Sequence, residues 1–132
     1  MGTSSDFVKG LYDAFARGDV GTVLAALDAE IEWREAENYP YSAGNPYVGP
    51  QAVVEGVLKP LTADVDGFTI HPANFIDGDD TVVVEGRYTG RFKASGTAFD
   101  AQFAHVWQLR GGKVVRFQQY TDSQQWSKAA AG

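Results

Sequence analysis

Three ionisable residues with the chemistry for proton transfer lie in segments of strand-like periodicity, namely Glu35, His105 and Asp122. Glu35 lies two residues after Trp33. His105 lies two residues before Trp107. Glu35 and His105 are therefore each expected on a strand face that carries large apolar groups. Because burial beside such groups raises the pKa of a carboxyl group toward the range of a general base, these residues indicate acid/base chemistry next to an apolar surface.

Each of these residues also has a purely structural interpretation, which the sequence leaves open. His105 could be a neutral core histidine hydrogen-bonded to a neighbour, and Glu35 could end its strand and turn into solvent. Asp122 could face a pocket or cap the turn that follows it. If the last strand is regular, Gln118, Tyr120 and Asp122 share one polar stripe, whereas the spacing of Phe117 and Tyr120 suggests a bulge that changes the facing between them.

Motifs of several other catalytic classes are absent from the sequence. It contains no glycine-rich phosphate loop, no G-x-S-x-G nucleophile turn and no H-E-x-x-H zinc site. His71 and His105 lack metal-ligand spacing, and the chain has no cysteine. Glu85 and Arg87, two apart on one predicted strand face, are explained by cross-strand pairing at the surface. We therefore expect metal-free proton chemistry or plain binding, with no metal and no cofactor.

The composition is that of one soluble globular domain, which we expect to span residues 1–132 with flexible ends near 1–4 and 127–132. The chain has 132 residues, of which 44% are hydrophobic and 21% charged. Its net charge of −6 and its lack of basic runs argue against nucleic acid and anionic membranes as partners. No signal peptide and no apolar run of about 20 residues is evident, so a cytoplasmic location is expected.

Helical periodicity dominates the first half of the chain, where apolar residues recur at three- and four-residue spacing. The first predicted helix ends at Gly18, and Asp19 can cap the second. The third starts at Pro50 and is limited in length by Pro60. Three helices are therefore expected before the main sheet.

Strand periodicity begins at 31–35 and dominates from residue 68 onward. Turns at 77–80, 94–96 and 110–113 separate the long strands 81–92, 98–109 and 114–122. Short turns between long strands are typical of antiparallel hairpins. The sequence thus predicts an α+β fold with a curved, mostly antiparallel sheet.

Aromatic residues make up 13% of the chain and are expected to line an apolar pocket. The segment 38–47 is irregular and contains three tyrosines, so it is either a lid or an ordered loop with its tyrosines packed down. The predicted ligand-binding residues are Phe15, Trp33, Tyr39, Phe103, Trp107 and Tyr120.

Three stretches of the chain carry a family resemblance. They are Phe7-Val8 with Phe15-Ala16-Arg17-Gly18-Asp19, Ile31-Glu32-Trp33, and Gly112-Lys113-Val114-Val115. They resemble the nuclear-transport-factor-2-like superfamily, and within it the SnoaL-like proteins related to ketosteroid isomerase. The resemblance implies a cone-shaped, cystatin-like fold in which the sheet and three N-terminal helices enclose an apolar pocket. It also implies a homodimer formed through the outer face of the sheet.

The same resemblance implies roles for individual residues. Ketosteroid isomerases use a carboxylate base opposite a protonated carboxyl group and a tyrosine. The base position falls on Glu35 and the protonated-carboxyl position on His105. The tyrosine position falls on Leu11, and Tyr12 is expected to face elsewhere, so the tyrosine hydroxyl is expected to be missing. In SnoaL-like cyclases an aspartate near the end of the last strand acts with a histidine, which Asp122 and His105 resemble.

The leading hypothesis is a metal-free acid/base enzyme, an isomerase or cyclase, that acts on a small, mostly apolar carbonyl compound through an enolate. Glu35 or Asp122 would take the proton, and His105 would hydrogen-bond the oxyanion. One alternative is a non-catalytic protein that binds a small hydrophobic ligand. Another is an interaction module whose pocket is closed by Trp33, Trp107 and Tyr120. An epoxide hydrolase would instead use Glu85, Arg87 and Asp122.

Overall fold

The structure, a computed structural model, describes residues 3–132 and has an α+β architecture, as predicted. Met1 and Gly2, part of the end predicted to be flexible, lie outside the described residues. In chain order the elements are α1 (Thr3–Ala16), α2 (Val20–Ala26), β1 (Leu27–Arg34), β2 (Tyr47–Val48), α3 (Pro50–Val53), a π-helical segment (Val54–Leu58), α4 (Lys59–Asp64), β3 (Val65–Gly78), β4 (Thr81–Phe92), β5 (Ala98–Arg110), β6 (Lys113–Thr121) and α5 (Ser123–Ala131).

The strands form one curved sheet in the order β2-β1-β6-β5-β4-β3. Strands β3 to β6 are joined by hairpins and pair antiparallel, which confirms the predicted pattern. β1 runs parallel to β6 and is the exception. The register places Trp33, Phe117 and Trp107 in one row across β1, β6 and β5. The pairing of β1 with β6 therefore brings the end of β1 close to the middle of β5.

The hairpins form where the sequence predicts them because their turns need backbone conformations that glycine adopts readily. In the last hairpin Gly111 and Gly112 have φ values of 58° and 78°. A side chain is strained at such values, whereas glycine is not. The turn therefore fixes the register of β5 against β6.

The third helical segment runs past Pro60, although the sequence predicts that this proline limits its length. Proline has no N–H to donate, and its ring crowds the preceding turn. The Lys59 N–H instead bonds the carbonyl of Val54, five residues earlier, in the π-helical segment. The wider turn accommodates the proline, so the helix continues through α4 to Asp64.

The tail predicted to be loose is helical, as α5. The helix is anchored to the core by Trp126 and Ala129, which are 0% and 2% exposed. Ser95 Oγ also donates to the Ala129 carbonyl at 2.6 Å. The alanines at 129–131 favour helix once the tryptophan is buried. Neither α5 nor any other helix within residues 3–132 is long and apolar enough to cross a membrane.

The inner face of the sheet forms the core together with the helices. Alternation along β5 places five residues on this face, all of them buried: Phe99, Ala101, Phe103, His105 and Trp107. The ring of Phe103 lies across Gly86 of β4, where an added Cβ would approach it to 2.9 Å. Glycine at position 86 thus lets the aromatic rings of β5 pack flat beside His105.

Candidate active site

A cavity of about 60 Å³ lies between the inner sheet face and the helices. Most of its lining side chains are apolar. Five of them are partly exposed and mark its open side: Phe15, Leu24, Leu58, Phe68 and Ile70. Because one water occupies roughly 10–15 Å³ on this measure, the present space holds only a few waters. A ring-sized ligand therefore requires these partly exposed side chains to move.

Glu35, which directly follows β1, contributes a carboxyl group to this cavity. The residue is 3% exposed. Trp33 Nε1 donates to Glu35 Oε1 at 2.9 Å, whereas Oε2 has no hydrogen-bond partner among the described residues. Burial raises the pKa of Glu35 to about 7, and the hydrogen bond from Trp33 opposes that rise. The interpretation of Glu35 as a solvent-facing strand end is therefore wrong.

Strand β1 ends at Arg34, so the backbone groups of the next two residues are not paired in the sheet. Two side-chain amides bond them instead. The Glu35 N–H donates to Asn45 Oδ1, and Asn45 Nδ2 donates to the Glu35 carbonyl, each at 2.8 Å. The next N–H, that of Ala36, donates to Gln119 Oε1 at 3.1 Å. The loop and β6 thus fix the position of Glu35.

His105 lies on β5 between two tyrosine hydroxyls. Its Nδ1 is 2.6 Å from Tyr12 Oη, and its Nε2 is hydrogen-bonded to Tyr88 Oη. The ring of Phe103 stacks on the imidazole with centroids 4.0 Å apart. Burial lowers the pKa of His105 to about 3, so the imidazole is neutral near pH 7. Since both nitrogens are engaged, the tyrosines, and not His105, offer hydrogen bonds to a ligand.

Tyr12 and Tyr88 both line the cavity, and each accepts a hydrogen bond from the protein. Trp107 Nε1 donates to Tyr12 Oη at 2.9 Å. Gln119 Nε2 donates to Tyr88 Oη at 2.9 Å. Burial is the main cause that raises the pKa of each tyrosine above its usual value. Both phenols therefore remain protonated and can act as hydrogen-bond donors.

The expectation that Tyr12 faces away from the pocket is wrong. Leu11 and Tyr12 are 5% and 7% exposed, and both line the cavity. The buried stripe of a helix that packs on a sheet is at least 100° wide, so it can contain two consecutive positions. A tyrosine hydroxyl is therefore present in the cavity, although the family resemblance implied that it is missing.

The other predicted site residues divide into two groups. Four line the cavity as predicted: Phe15, Trp33, Tyr39 and Trp107. Phe103 is buried against His105 without lining the cavity. Tyr120 is 57% exposed on the opposite face, because β6 pairs regularly with β5 from Arg116 to Thr121. The bulge suggested near Tyr120 lies instead at Val115. The prediction that Tyr120 faces the ligand is therefore wrong.

Asp122 is exposed and lies outside the cavity lining. It is the N-cap of α5, where its carboxylate accepts a hydrogen bond from the Gln125 N–H at 3.3 Å. The capping interpretation of Asp122 is therefore the one that the structure supports.

Glu85 and Arg87 are exposed on the outer face of the sheet. Arg87 Nε bonds Asp100 Oδ1 at 2.7 Å across β4 and β5, and Asn74 Nδ2 bonds Glu85 Oε1 at 3.3 Å. These contacts are the cross-strand pairing expected at the surface. Glu85, Arg87 and Asp122 do not meet in the cavity, and no cluster of metal-ligating side chains occurs within residues 3–132.

Tyr88 and Gln119 were missed as site residues, although the sequence contains a signal for each. Tyr88 follows Val82 and Val84 at even spacing along β4, so alternation places it on the core face. Gln119 follows Phe117 by two residues, but the suggested bulge concealed the alternation. Strict alternation along β4 and β6 would have placed both residues on the core face.

Comparison with known proteins places this chain in a family. The model of the SnoaL-like domain matches residues 8–117. An NTF2-like protein from Burkholderia thailandensis is 32% identical, with 94% of each chain covered and a TM-score of 0.90. No curated protein matches the sequence.

Two more distant structures share the fold. IdmH, a proposed polyketide cyclase from Streptomyces antibioticus, is 18% identical, with 98% of this chain and 99% of that chain covered and a TM-score of 0.79. A protein with a ketosteroid isomerase-like fold from Catenulispora acidiphila, solved with trimethylamine, is 16% identical, with 95% and 92% covered and a TM-score of 0.77. By sequence and fold, the chain belongs to the SnoaL-like family of the nuclear-transport-factor-2-like superfamily.

Proposed function

We propose that the protein is an acid/base enzyme that forms an enolate from a small, mostly apolar carbonyl compound, as an isomerase or cyclase of the SnoaL-like type. One observation carries the proposal: a buried carboxyl group, one oxygen of which has no partner within residues 3–132, shares an apolar cavity with two buried tyrosine hydroxyls. Such a combination supplies, in one water-poor site, a proton acceptor and a hydrogen-bond donor that can stabilise an oxyanion.

In this proposal Glu35 is the base, because Asp122 lies outside the cavity. Glu35 Oε2 takes a proton from the carbon next to the carbonyl group. The electron pair of that C–H bond forms a carbon–carbon double bond, and the π pair of the carbonyl group moves onto its oxygen. A tyrosine O–H, from Tyr12 or Tyr88, hydrogen-bonds the resulting oxyanion. Return of the proton to a different carbon completes an isomerisation. Attack of the enolate carbon on a second carbonyl group, with return of the proton from Glu35 to the alkoxide oxygen so formed, completes an aldol-type ring closure.

The test is deuterium exchange at acidic carbon atoms of small cyclic ketones in heavy water, followed by NMR. We expect wild-type protein to catalyse exchange and Glu35→Gln to lose about 10²-fold or more of the rate. Glu37→Gln is the matched control, because Glu37 is exposed and does not line the cavity. Equal exchange rates in wild type and Glu35→Gln would contradict the proposal.

The second candidate function is binding of a small hydrophobic ligand without catalysis. It is favoured by the apolar walls of the cavity and by the completeness of the hydrogen bonds around His105. Saturable ketone binding with no exchange in wild type, and with equal affinity in Glu35→Gln, would identify this function.

A further inference from the structure

The hydrogen atoms of the chain Tyr12–His105–Tyr88 can be counted. Each tyrosine carries one O–H, and a neutral imidazole carries one N–H, which makes three hydrogens for the three residues. The two hydrogen bonds to the imidazole use two of them. One hydroxyl hydrogen is therefore left over. If Nδ1 is protonated the spare hydrogen belongs to Tyr12, and if Nε2 is protonated it belongs to Tyr88.

The outer partners of the chain cannot take this hydrogen. The indole of Trp107 is only a donor, and it already donates to Tyr12. The orientation of the Gln119 amide is set from its other end, because Oε1 accepts the Ala36 N–H at 3.1 Å. Nε2 therefore faces Tyr88 and donates to it at 2.9 Å.

No hydrogen bond within residues 3–132 takes up the spare hydrogen. Within residues 3–132, the hydroxyls of Tyr12 and Tyr88 have no hydrogen-bond partners beyond those already described. Both tyrosines line the cavity. A buried hydroxyl hydrogen without an acceptor is costly, so the cavity is the direction in which its acceptor must lie.

We propose that the Tyr12–His105–Tyr88 chain reserves one tyrosine hydroxyl hydrogen for an acceptor oxygen of the ligand, and that the Gln119 amide leaves it available because it presents a donor, and not an acceptor, to Tyr88. Gln119 therefore affects the spare hydrogen only through Tyr88, and only a side chain that accepts at this position would consume it. The inference rests on the proposed function only in that the ligand carries a carbonyl-type oxygen.

Two substitutions of Gln119 separate this role from a structural one. An ionised carboxylate from Gln119→Glu can only accept, so Tyr88 must donate to it. His105 then donates from Nε2 to Tyr88, Tyr12 donates to Nδ1, and no hydrogen is left over. Gln119→Met also removes the amide and leaves the Ala36 N–H without its acceptor, but the count of one spare hydrogen is unchanged.

The test compares two probes of similar shape, cyclopentanone labelled with ¹³C at the carbonyl carbon and methylenecyclopentane, which has no acceptor oxygen. Dissociation constants are measured by NMR at pH 6 to 9 for wild type, Gln119→Glu and Gln119→Met. The ¹³C signal of the bound ketone reports hydrogen bonding to its oxygen. Glutamate labelled with ¹³C at the side-chain carboxyl reports when the new group at position 119 ionises.

We expect the bound ketone signal in wild type to lie on the hydrogen-bonded side of its value in hexane. Ionisation at position 119 should remove that displacement and lower the preference for ketone over hydrocarbon by about tenfold, roughly one hydrogen bond. While the new group is protonated it donates to Tyr88 as the amide does, so the preference should persist. Gln119→Met should retain both signals.

Three results would overturn the inference: no displacement in wild type, preference retained when position 119 is ionised, or preference lost in Gln119→Met. Long-range ¹H–¹⁵N spectra of His105 give an independent check, because ionised Gln119→Glu should show the Nε2–H form alone. These readouts concern hydrogen bonding and not proton abstraction. They can therefore fail while ketone exchange by Glu35 persists, and can hold if exchange is absent.

Discussion

Glu35 combines two conditions that rarely occur together at one residue, namely nearly complete burial and a carboxylate oxygen without a partner in the part of the chain that the structure describes. Leaving a buried polar atom unsatisfied is unfavourable for folding. The hydrogen bond from Trp33 and the amide clasp of Asn45 hold the carboxyl group in place nonetheless. A site of this kind is expected where activity, and not stability, has been favoured.

The folding cost of Glu35 leads to a prediction at the residue scale. Its pKa rises from 4.5 to about 7 on folding, so the stability it contributes is present at low pH and is lost as the pH rises through 7. The loss is of the order of 3 kcal/mol. Glu35→Gln should therefore unfold at a higher urea concentration than wild type at pH 8, with a smaller difference at pH 5.

Urea unfolding at the two pH values, with Glu37→Gln as control, tests this prediction. The depressed pKa of His105 destabilises the fold as the pH falls below 6.5, but it does so equally in both proteins and cancels in the comparison. A Glu35→Gln variant less stable than wild type at pH 8 would show that ionised Glu35 does not strain the fold.

The sequence indicated Glu35 and His105 as site residues but not their partners. Alternation with Trp33 and Trp107 was enough to place Glu35 and His105 on the core face. It could not show that His105 has both nitrogens bonded, because Tyr12 and Tyr88 come from a helix and a strand distant in sequence. Hydrogen-bond partners between distant segments depend on packing, which local periodicity does not encode.

At the element scale, the loop after β1 acts as a wall of the site. Tyr39 is buried and packs edge-on against Trp126 of α5 with ring centroids 4.8 Å apart. Tyr41 Oη donates to Asp64 at 2.8 Å, and Tyr47 Oη donates to the Tyr41 carbonyl at 2.6 Å. These contacts favour the interpretation of an ordered loop with its tyrosines packed down over that of a lid.

The N-cap of α5 gives a prediction for an element as a whole. Asp122→Ala removes the hydrogen bond to the Gln125 N–H and should lower the free energy of unfolding by about 1 kcal/mol. Asp122→Asn should retain most of the cap. Both variants should keep the wild-type rate of ketone exchange, because Asp122 lies outside the cavity.

Urea unfolding and the exchange assay together distinguish the cap from a catalytic role. A folded Asp122→Asn protein that loses exchange by tenfold or more would restore Asp122 as the base. It would also remove the reason for choosing Glu35.

At the scale of the whole molecule, the sequence predicted the α+β class and the antiparallel part of the sheet. The turns that start β4 and β5 were located correctly because each contains a glycine, Gly78 beside three aspartates and Gly96 after Ser95, between two long strands. The parallel pairing of β1 with β6 was not predicted. It joins segments about 80 residues apart, and no hairpin connects these two strands directly. That pairing is what brings Glu35 beside Gln119 and completes the site.

The pH dependence of ketone deuterium exchange tests the central claim most directly. If Glu35 is the base, the exchange rate should rise with pH around a midpoint near 7, since only the ionised carboxylate accepts a proton. Trp33→Phe removes the hydrogen bond that lowers this pKa, so its midpoint should move to higher pH. A flat profile, or a midpoint that Trp33→Phe leaves in place, would contradict the assignment of Glu35 as the base.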